Sequence, residues 1–488
     1  MKNTTPTMLL FLAAVLFGNC AGGSDPDYLG KARSCVDTLL EHGRDHYGTE
    51  HSPLIASALD RKKLSLLEFD GKPPRMKGIR NGDRSLKGAN PMHDQDLYQS
   101  LYALTVLTGD KRYAAEADRT LKWFFENCQS PATGLMTWGE HIYWGFRTET
   151  VAHLRDENHE FYGPWVIWDK SFELAPKACV KFAEGLWLHQ IHDHESGDFS
   201  RHAAWSKHAT GQHNGYPRHG GFYIATWARA YEHAKNPMFL EAIETLVDHY
   251  DRNSSEKTGA IPCSISPNLI HIMWPESNLS LAVDLWDAAE RVPPLLGLKM
   301  RQRAVKTDEV YLSLAHEFGP EGRGFVAGAN VDTLERLTEG AWTDTAIWAT
   351  AYGKTTDAQE ANLCHLRWRQ TKDERYRKLI LDAASRYLTS EPDATAVLYP
   401  GPMVSAINLM LICHDLTGDK RYLERADHFG KKAVEIFFDD TSSLPKASSV
   451  DDQYETITGS DDLVAVMLKL WTAKNRPGVK LPIELNKR

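Results

Sequence analysis

The chain has 488 residues, 42% hydrophobic, 25% charged and 10% aromatic, which suffices for one large core or two medium ones. Its formal net charge is −9 and it has no extended Lys/Arg run, so nothing favours a nucleic-acid surface, and an acidic ligand would have to meet a positive field local to a cleft. No stretch approaches the ~20 apolar residues of a membrane span.

At the N-terminus Lys2 precedes an apolar run over 8–17 and small residues through Gly23. One cation, a short apolar region and a small-residue exit read as an export signal over 1–23, hence a secreted or periplasmic location. Lipid attachment at Cys20 is the lesser alternative, because Phe17-Gly18-Asn19 is a poor context for it. The other cysteines (Cys35, Cys128, Cys179, Cys263, Cys364 and Cys413) are scattered without a CxxC pair, so thiolate zinc sites are not expected and buried free thiols are the simplest reading. A single catalytic domain is expected over 25–474, followed by a basic, proline-bearing extension over 475–488 at the periphery.

The elements that follow are helical hairpins. Helical sequence over 101–107 leads into Thr-Gly-Asp-Lys-Arg-Tyr at 108–113 and then an Ala-rich stretch to Glu126. Ala-Lys-Asn-Pro-Met-Phe at 234–239 and Thr-Lys-Asp-Glu-Arg-Tyr at 371–376 are weaker copies between two helical stretches each, and the full string returns at 417–422. Each copy predicts a helix, a tight turn with Gly or Asn in the left-handed position, and a return helix capped by Asp or Asn. The aromatic residue closing each string begins the packed face of the second helix. Such units bury their apolar faces only by stacking, as an open solenoid or a closed toroid. The long aromatic-rich inserts at 130–165 and 196–222 favour the toroid, with loops at one end building a cleft. The expected fold is therefore all-α, an (α/α) barrel of six to seven hairpins, with 259–266 as a possible short strand.

Chemistry-bearing residues crowd the two inserts. His141, His153, His159, His189, His192, His194, His202, His208, His213 and His219 lie there with Trp138, Trp144, Trp165, Trp168, Trp187 and Trp205. Indole faces stack on sugar rings, and imidazoles bind metal or move protons. Three strings stand out: Trp138-Gly139-Glu140-His141 after Gly134-Leu135, His159-Glu160, and Asp198-Phe199-Ser200-Arg201-His202. Between the last two runs Ala175-Pro176-Lys177-Ala178, then Phe182, Gly185, Trp187 and His189.

In order and spacing, roughly residues 95–205 resemble the pectate lyases of polysaccharide lyase family 2, with a weak echo at 316–321. The resemblance implies an (α/α) barrel, a divalent metal ion (Mn, Co, Ni, Zn or Ca) and β-elimination of a uronate polymer. Carried over residue by residue, the metal ligands would be His141, Glu160 and His202, and the Brønsted base Arg201. Guanidinium is the side chain least willing to lose a proton. Arg201 could instead clamp a carboxylate while His213, Tyr216 or His219, in a segment without a family counterpart, takes the proton. Trp138, Trp144, Arg218 and His219 are candidate substrate contacts, the two tryptophans standing evenly between sugar platform and core. Glu140 and Glu149 read as surface groups or as supports one step removed from the site. The alternatives are a glucuronan or alginate lyase with a His/Tyr base, a glycoside hydrolase or epimerase on the same barrel (for hydrolysis, Glu160 with Asp169 or Asp198), and a non-catalytic glycan-binding exported protein.

Overall fold

The computed structural model describes residues 26–153, 158–159, 161, 163–319, 321–340, 343–350, 354–486 and 488, and statements of number or absence below concern these residues. Fourteen α-helices account for most of the chain: α1 (Tyr28–His42), α2 (Pro91–Thr108), α3 (Arg112–Asn127), α4 (Trp168–Leu174), α5 (Pro176–Gly185), α6 (Pro217–Ala234), α7 (Met238–Arg252), α8 (Pro275–Ala288), α9 (Pro294–Ser313), α10 (Asp357–Thr371), α11 (Glu374–Tyr387), α12 (Pro400–Thr417), α13 (Lys420–Phe437) and α14 (Ser460–Asn475).

They form six hairpins, and a seventh pair made by the terminal helices, in a closed ring. The even-numbered helices make the inner wall: α6 packs on α8, α8 on α10, α10 on α12, α12 on α14 and α14 on α2, with the short α4 and its partner α5 filling the sector between α2–α3 and α6. The odd-numbered helices back them from outside, and α1 closes the ring by backing α14. An antiparallel pair of strands, Ala58–Asp60 with Gln453–Glu455, seals the same seam.

Burial explains which helix goes where. In α2 and α14 most residues are buried, all round the helix, as an inner helix requires. Outer helices bury one stripe: in α3 it is Tyr113, Ala117, Thr120, Leu121 and Phe124, recurring at helical spacing.

The repeated strings are the turns of four hairpins. Gly109 and Gly418 hold the left-handed position after α2 and α12, at φ 79° and 70°. In the weaker copies this position falls to lysine, Lys235 at φ 52° and Lys372 at φ 58°, and not to Gly or Asn. Asp373 and Asp419 cap the return helices by accepting from the backbone N–H of Arg375 and Arg421. Tyr113, Phe239, Tyr376 and Tyr422 are all buried at the start of the packed face, as expected.

Two expectations need correction. Residues 259–266 form no strand; the strand nearby is Ile272–Met273, paired with Ala329–Asn330. Nor is the segment after α14 peripheral throughout: 476–480 are exposed, but the rest turns inward. Leu481, Ile483 and Leu485 pack against the core, the Glu484 N–H donates to Gln99 Oε1 at 2.7 Å, and Arg488 is 8% exposed. The six described cysteines are buried free thiols, and burial pushes Cys263 up to about 12. No helix is long and apolar enough to cross a membrane.

Candidate active site

The inner helices all start at one end of the barrel, and four of them start alike: Asn90-Pro91, Tyr216-Pro217, Trp274-Pro275 and Tyr399-Pro400 each put proline at the first helical position. Proline loses no hydrogen bond there, and its fixed φ suits the first turn. A cleft of about 1210 Å³ opens at this end, lined from the start of α2 (His93), α6 (Tyr216, Arg218), α8 (Trp274, Glu276) and α10 (Gln359). Helix N-termini carry partial positive charge, so the frame itself favours an anion.

Side chains add to that field. Arg80, Arg201, Arg218, Lys354 and Arg488 line the cleft against two carboxylates, Glu140 and Glu276. On a chain of net charge −9 this is the local positive field that an acidic ligand needs. Arg201 is steered by its neighbours. Its Nη1 donates to Asn214 Oδ1 at 2.6 Å and its guanidinium lies 4.5 Å from the centre of the Tyr216 ring. Residues Ser200 and Asn214 pair as a parallel bridge, so the Arg201–His202 loop runs beside the segment leading to Tyr216. Arg218 stacks in the same way on Trp274, at 4.7 Å.

Glu140 stands at one wall with His141 and His202 beside it, each offering a ligand atom within 4.8 Å of the others. The two imidazole rings lie 5.2 Å apart, centre to centre. Gly139 shapes this corner: its φ of 108° is readily reached only by glycine, and it lets Glu140 and His141 follow in a sharp turn. Asn90 grips the turn from α2, donating to the Gly139 carbonyl at 2.7 Å and accepting from its N–H at 3.2 Å. Asp83 lies 3.1 Å from His141 Nδ1, and Arg80 bridges Asp83, at 2.6 Å, and the Glu140 carboxylate. With Nδ1 facing Asp83, the Nε2 of His141 is turned towards Glu140, 3.7 Å away. Two imidazoles and a carboxylate, with Glu140 and His141 buried and His202 partly so, suit a first-row divalent ion.

The residues singled out from sequence therefore separate. His141 and His202 converge. Glu140, expected at the surface or one step removed, joins them, because the Gly139 turn and the Arg80 contact bring it inward. Glu160 lies outside the described residues; its neighbour His159 ends a short strand opposite Ala203, next to His202 in sequence. Arg201, Tyr216 and Arg218 line the cleft. His213 does not: it is half exposed, paired at 2.8 Å with Asp198, and faces a separate pocket with His192, His194 and His249.

Three substrate-contact candidates are corrected. Trp138 is fully buried among Phe124, Phe125, Trp165 and Phe182, so it is core and not a sugar platform. Trp144 sits on the strand Ile142–Gly145, edge-on to Trp123, and is not among the cleft-lining residues. His219 is fully buried one turn into α6, its ring 5.9 Å from that of Phe222, and stays beneath the cleft surface. The sequence reading missed Arg80, Asp83, Trp274, Glu276 and Lys354, which stand outside the histidine-rich stretch. Trp274-Pro275 repeats Tyr216-Pro217, and that echo was the one available signal.

Residues 65–251 match the model of the family described as periplasmic pectate lyase. That segment holds Asp83, the Gly139 turn, both histidines, Arg201 and Tyr216, and the match indicates a polysaccharide lyase. Among solved structures the chain is similar to a cellobiose 2-epimerase from Bacillus thermoamylovorans (9% identity, 91% of this chain and 97% of that one, TM-score 0.48). It is also similar to an unsaturated glucuronyl hydrolase specific for heparin (11% identity, 92% and 98%, TM-score 0.48) and to a D-mannose isomerase (11% identity, 79% and 100%, TM-score 0.49).

Proposed function

We propose that this enzyme cleaves a uronate polymer, pectate or a close relative, by metal-assisted β-elimination. The observation that carries the reading is a Glu/His/His donor set whose Glu140 lines the same cleft as the arginines around Tyr216. Glu140, His141 and His202 would hold a divalent ion, whereas the resemblance assigns the carboxylate ligand to Glu160, outside the described residues. Such an ion, when bound, neutralises a substrate carboxylate and so acidifies the proton on the adjacent carbon.

The chain's own residues do the rest. Arg218, kept in place by Trp274, and Arg80 suit the carboxylates of flanking sugars, which guanidinium grips in bidentate fashion. Arg201 and Tyr216, in contact with each other, flank the reacting carbon, and one of them removes its proton. As that C–H bond breaks, a double bond forms to the neighbouring carbon, the bond to the 4-linked oxygen breaks, and that oxygen leaves with a proton taken from an acid in the cleft. Asn214 keeps the Arg201 head directed, which limits the entropy lost on reaching this geometry. The separate position of His213 beside Asp198 makes it the weaker candidate for the base. Export through the segment at 1–23 suits a polymer that cannot enter a cell.

Arg201→Ala is expected to lower kcat by about 10³-fold, the scale of a positioned proton-transfer group. Tyr216→Phe separates the two bases. A comparable loss assigns the proton to the phenol, whereas activity within about tenfold of wild type, with an alkaline optimum, assigns it to Arg201. Wild-type activity in both variants contradicts the site.

A further inference from the structure

After exposed residues 476–480 at the mouth, the chain over 481–486 runs inside the barrel and not around it. A pocket at the C-terminal ends of α12 and α14 is lined by Leu411, His414, Lys469 and Thr472 together with Pro477–Leu481 of this segment. Further along, Glu484 exchanges backbone hydrogen bonds with the Gln99 side chain, midway up α2. A small cavity then brings Leu485 and Asn486 together with Asp96 of α2, Asn362 of α10, Ser405 of α12 and Asp462 of α14. Only the axis of the ring lies between four inner helices. The segment thus enters at the end opposite the cleft and climbs the lumen, and Asn486 and Arg488 emerge among the cleft-lining residues.

Arg488 is built in. It is 8% exposed, donates to the Ser280 carbonyl at 2.7 Å and Ser280 Oγ at 2.9 Å, and forms a two-pronged pair with Asp284 at 2.6 and 3.2 Å. Phe222 lies 5.6 Å from its guanidinium, and its Nε has no hydrogen-bond partner among the described residues. A buried ion pair is weak grounds for stability, because desolvating both charges offsets much of their attraction. Stability alone therefore does not account for a guanidinium at the bottom of this cleft.

We propose that residues 481–486 with Arg488 are an internal strap that builds the cleft floor from within the barrel, and that Arg488 binds a uronate carboxylate there. This rests on the reading of the cleft as a uronate-polymer site. Asp284 and Ser280 hold the planar head, and its charge together with the net positive charge of the cleft attracts the substrate anion. Removing the charge weakens binding of the free acid polymer more than of its methyl ester, which has no anion to pair.

The test compares wild type, Arg488→Gln and Arg488→Lys on polygalacturonate and on highly methyl-esterified pectin. Arg488→Gln is expected to raise KM for polygalacturonate about tenfold, with kcat within about twofold, and to cut the preference for the free acid by the same factor. Arg488→Lys keeps most of that preference. The double variant Arg488→Gln/Asp284→Asn removes both charges of the buried pair, guards against misfolding caused by a lone carboxylate, and is expected to show the same KM rise. An unchanged KM and unchanged preference in both Gln variants overturns the inference while leaving the cleft reading intact. A fall in kcat alone gives the strap a purely structural role and also overturns it. A wild-type enzyme that forms no unsaturated product from any uronate polymer removes both.

Discussion

Asp83 and Gly139 decide the candidate metal site although neither offers a ligand. Gly139 turns the chain so that Glu140 and His141 face His202, and Asp83 fixes the His141 ring through Nδ1. A carboxylate behind a ligand imidazole commonly accounts for about 10- to 100-fold in metal affinity. Asp83→Asn is therefore expected to weaken binding of Mn or Co by that factor in a metal titration, with helix content unchanged; unaltered affinity would separate Asp83 from the site. His141 and His202 were legible because the order Trp-Gly-x-His, His-Glu and Arg-His survives in sequence. Asp83 was not, since only the folded loop brings it to His141. Trp138 was misjudged because aromatic density marks a sugar cleft and an aromatic core alike, and burial alone separates them.

His316, the centre of the weak echo further along the chain, has a structural part. Its Nδ1 accepts from the Val326 N–H at 3.2 Å and its Nε2 faces the Tyr311 carbonyl at 3.2 Å, so the neutral ring is fully used. Burial lowers its pKa from 6.5 to about 4. The unfolded chain then binds the proton first, and stability is complete above pH 6.5 and lost as pH falls towards about 4. Denaturant unfolding is expected to show about 2 kcal/mol less stability at pH 5 than at pH 7 from this residue, and His316→Gln should flatten that slope. A slope unchanged in the variant would contradict the assignment.

Among the elements, the hairpin turns were the most legible because their geometry is local. Added Cβ atoms at Gly109 and Gly418 would meet nothing within 4 Å, so any cost of alanine there is conformational. Gly109→Ala and Gly418→Ala are each expected to destabilise by about 1–2 kcal/mol in urea unfolding; a neutral result would show that these turns relax. Lys235 and Lys372 tolerate the same conformation with their ammonium groups over Tyr231 and Trp368, at 5.1 and 4.1 Å. The misplaced strand at 259–266 has an equally local cause. Ile261 exchanges both backbone hydrogen bonds with the side chain of Asn278 on α8, so a helix side chain takes the place of a neighbouring strand. An apolar run does not announce a side chain as its partner.

For the whole molecule, the repeats predicted stacked hairpins, but closure into a ring depends on α1, α2 and α14 meeting across nearly the full length of the chain. The lumen segment was illegible for the same reason: a basic, polar stretch reads as solvated until Asp284 and Gln99 are seen to hold it. The ring also sets the electrostatics, since inner-helix N-termini and five cationic side chains converge on one cleft. Raising ionic strength from about 0.01 to about 0.5 M should therefore raise KM for an acidic polymer severalfold and leave a neutral glycan unaffected. Salt-independent KM would contradict a charge-guided substrate.

The central claim is elimination assisted by a metal in this cleft. Its most direct test follows ultraviolet absorbance of the new double bond while the purified enzyme acts on polygalacturonate, glucuronan and alginate. The expected result is absorbance that rises with at least one of them, most with polygalacturonate, stops on chelation, returns with Mn or Co, and is lost in His141→Ala and His202→Ala. New reducing ends without absorbance, or absorbance indifferent to chelation and to both variants, would contradict it.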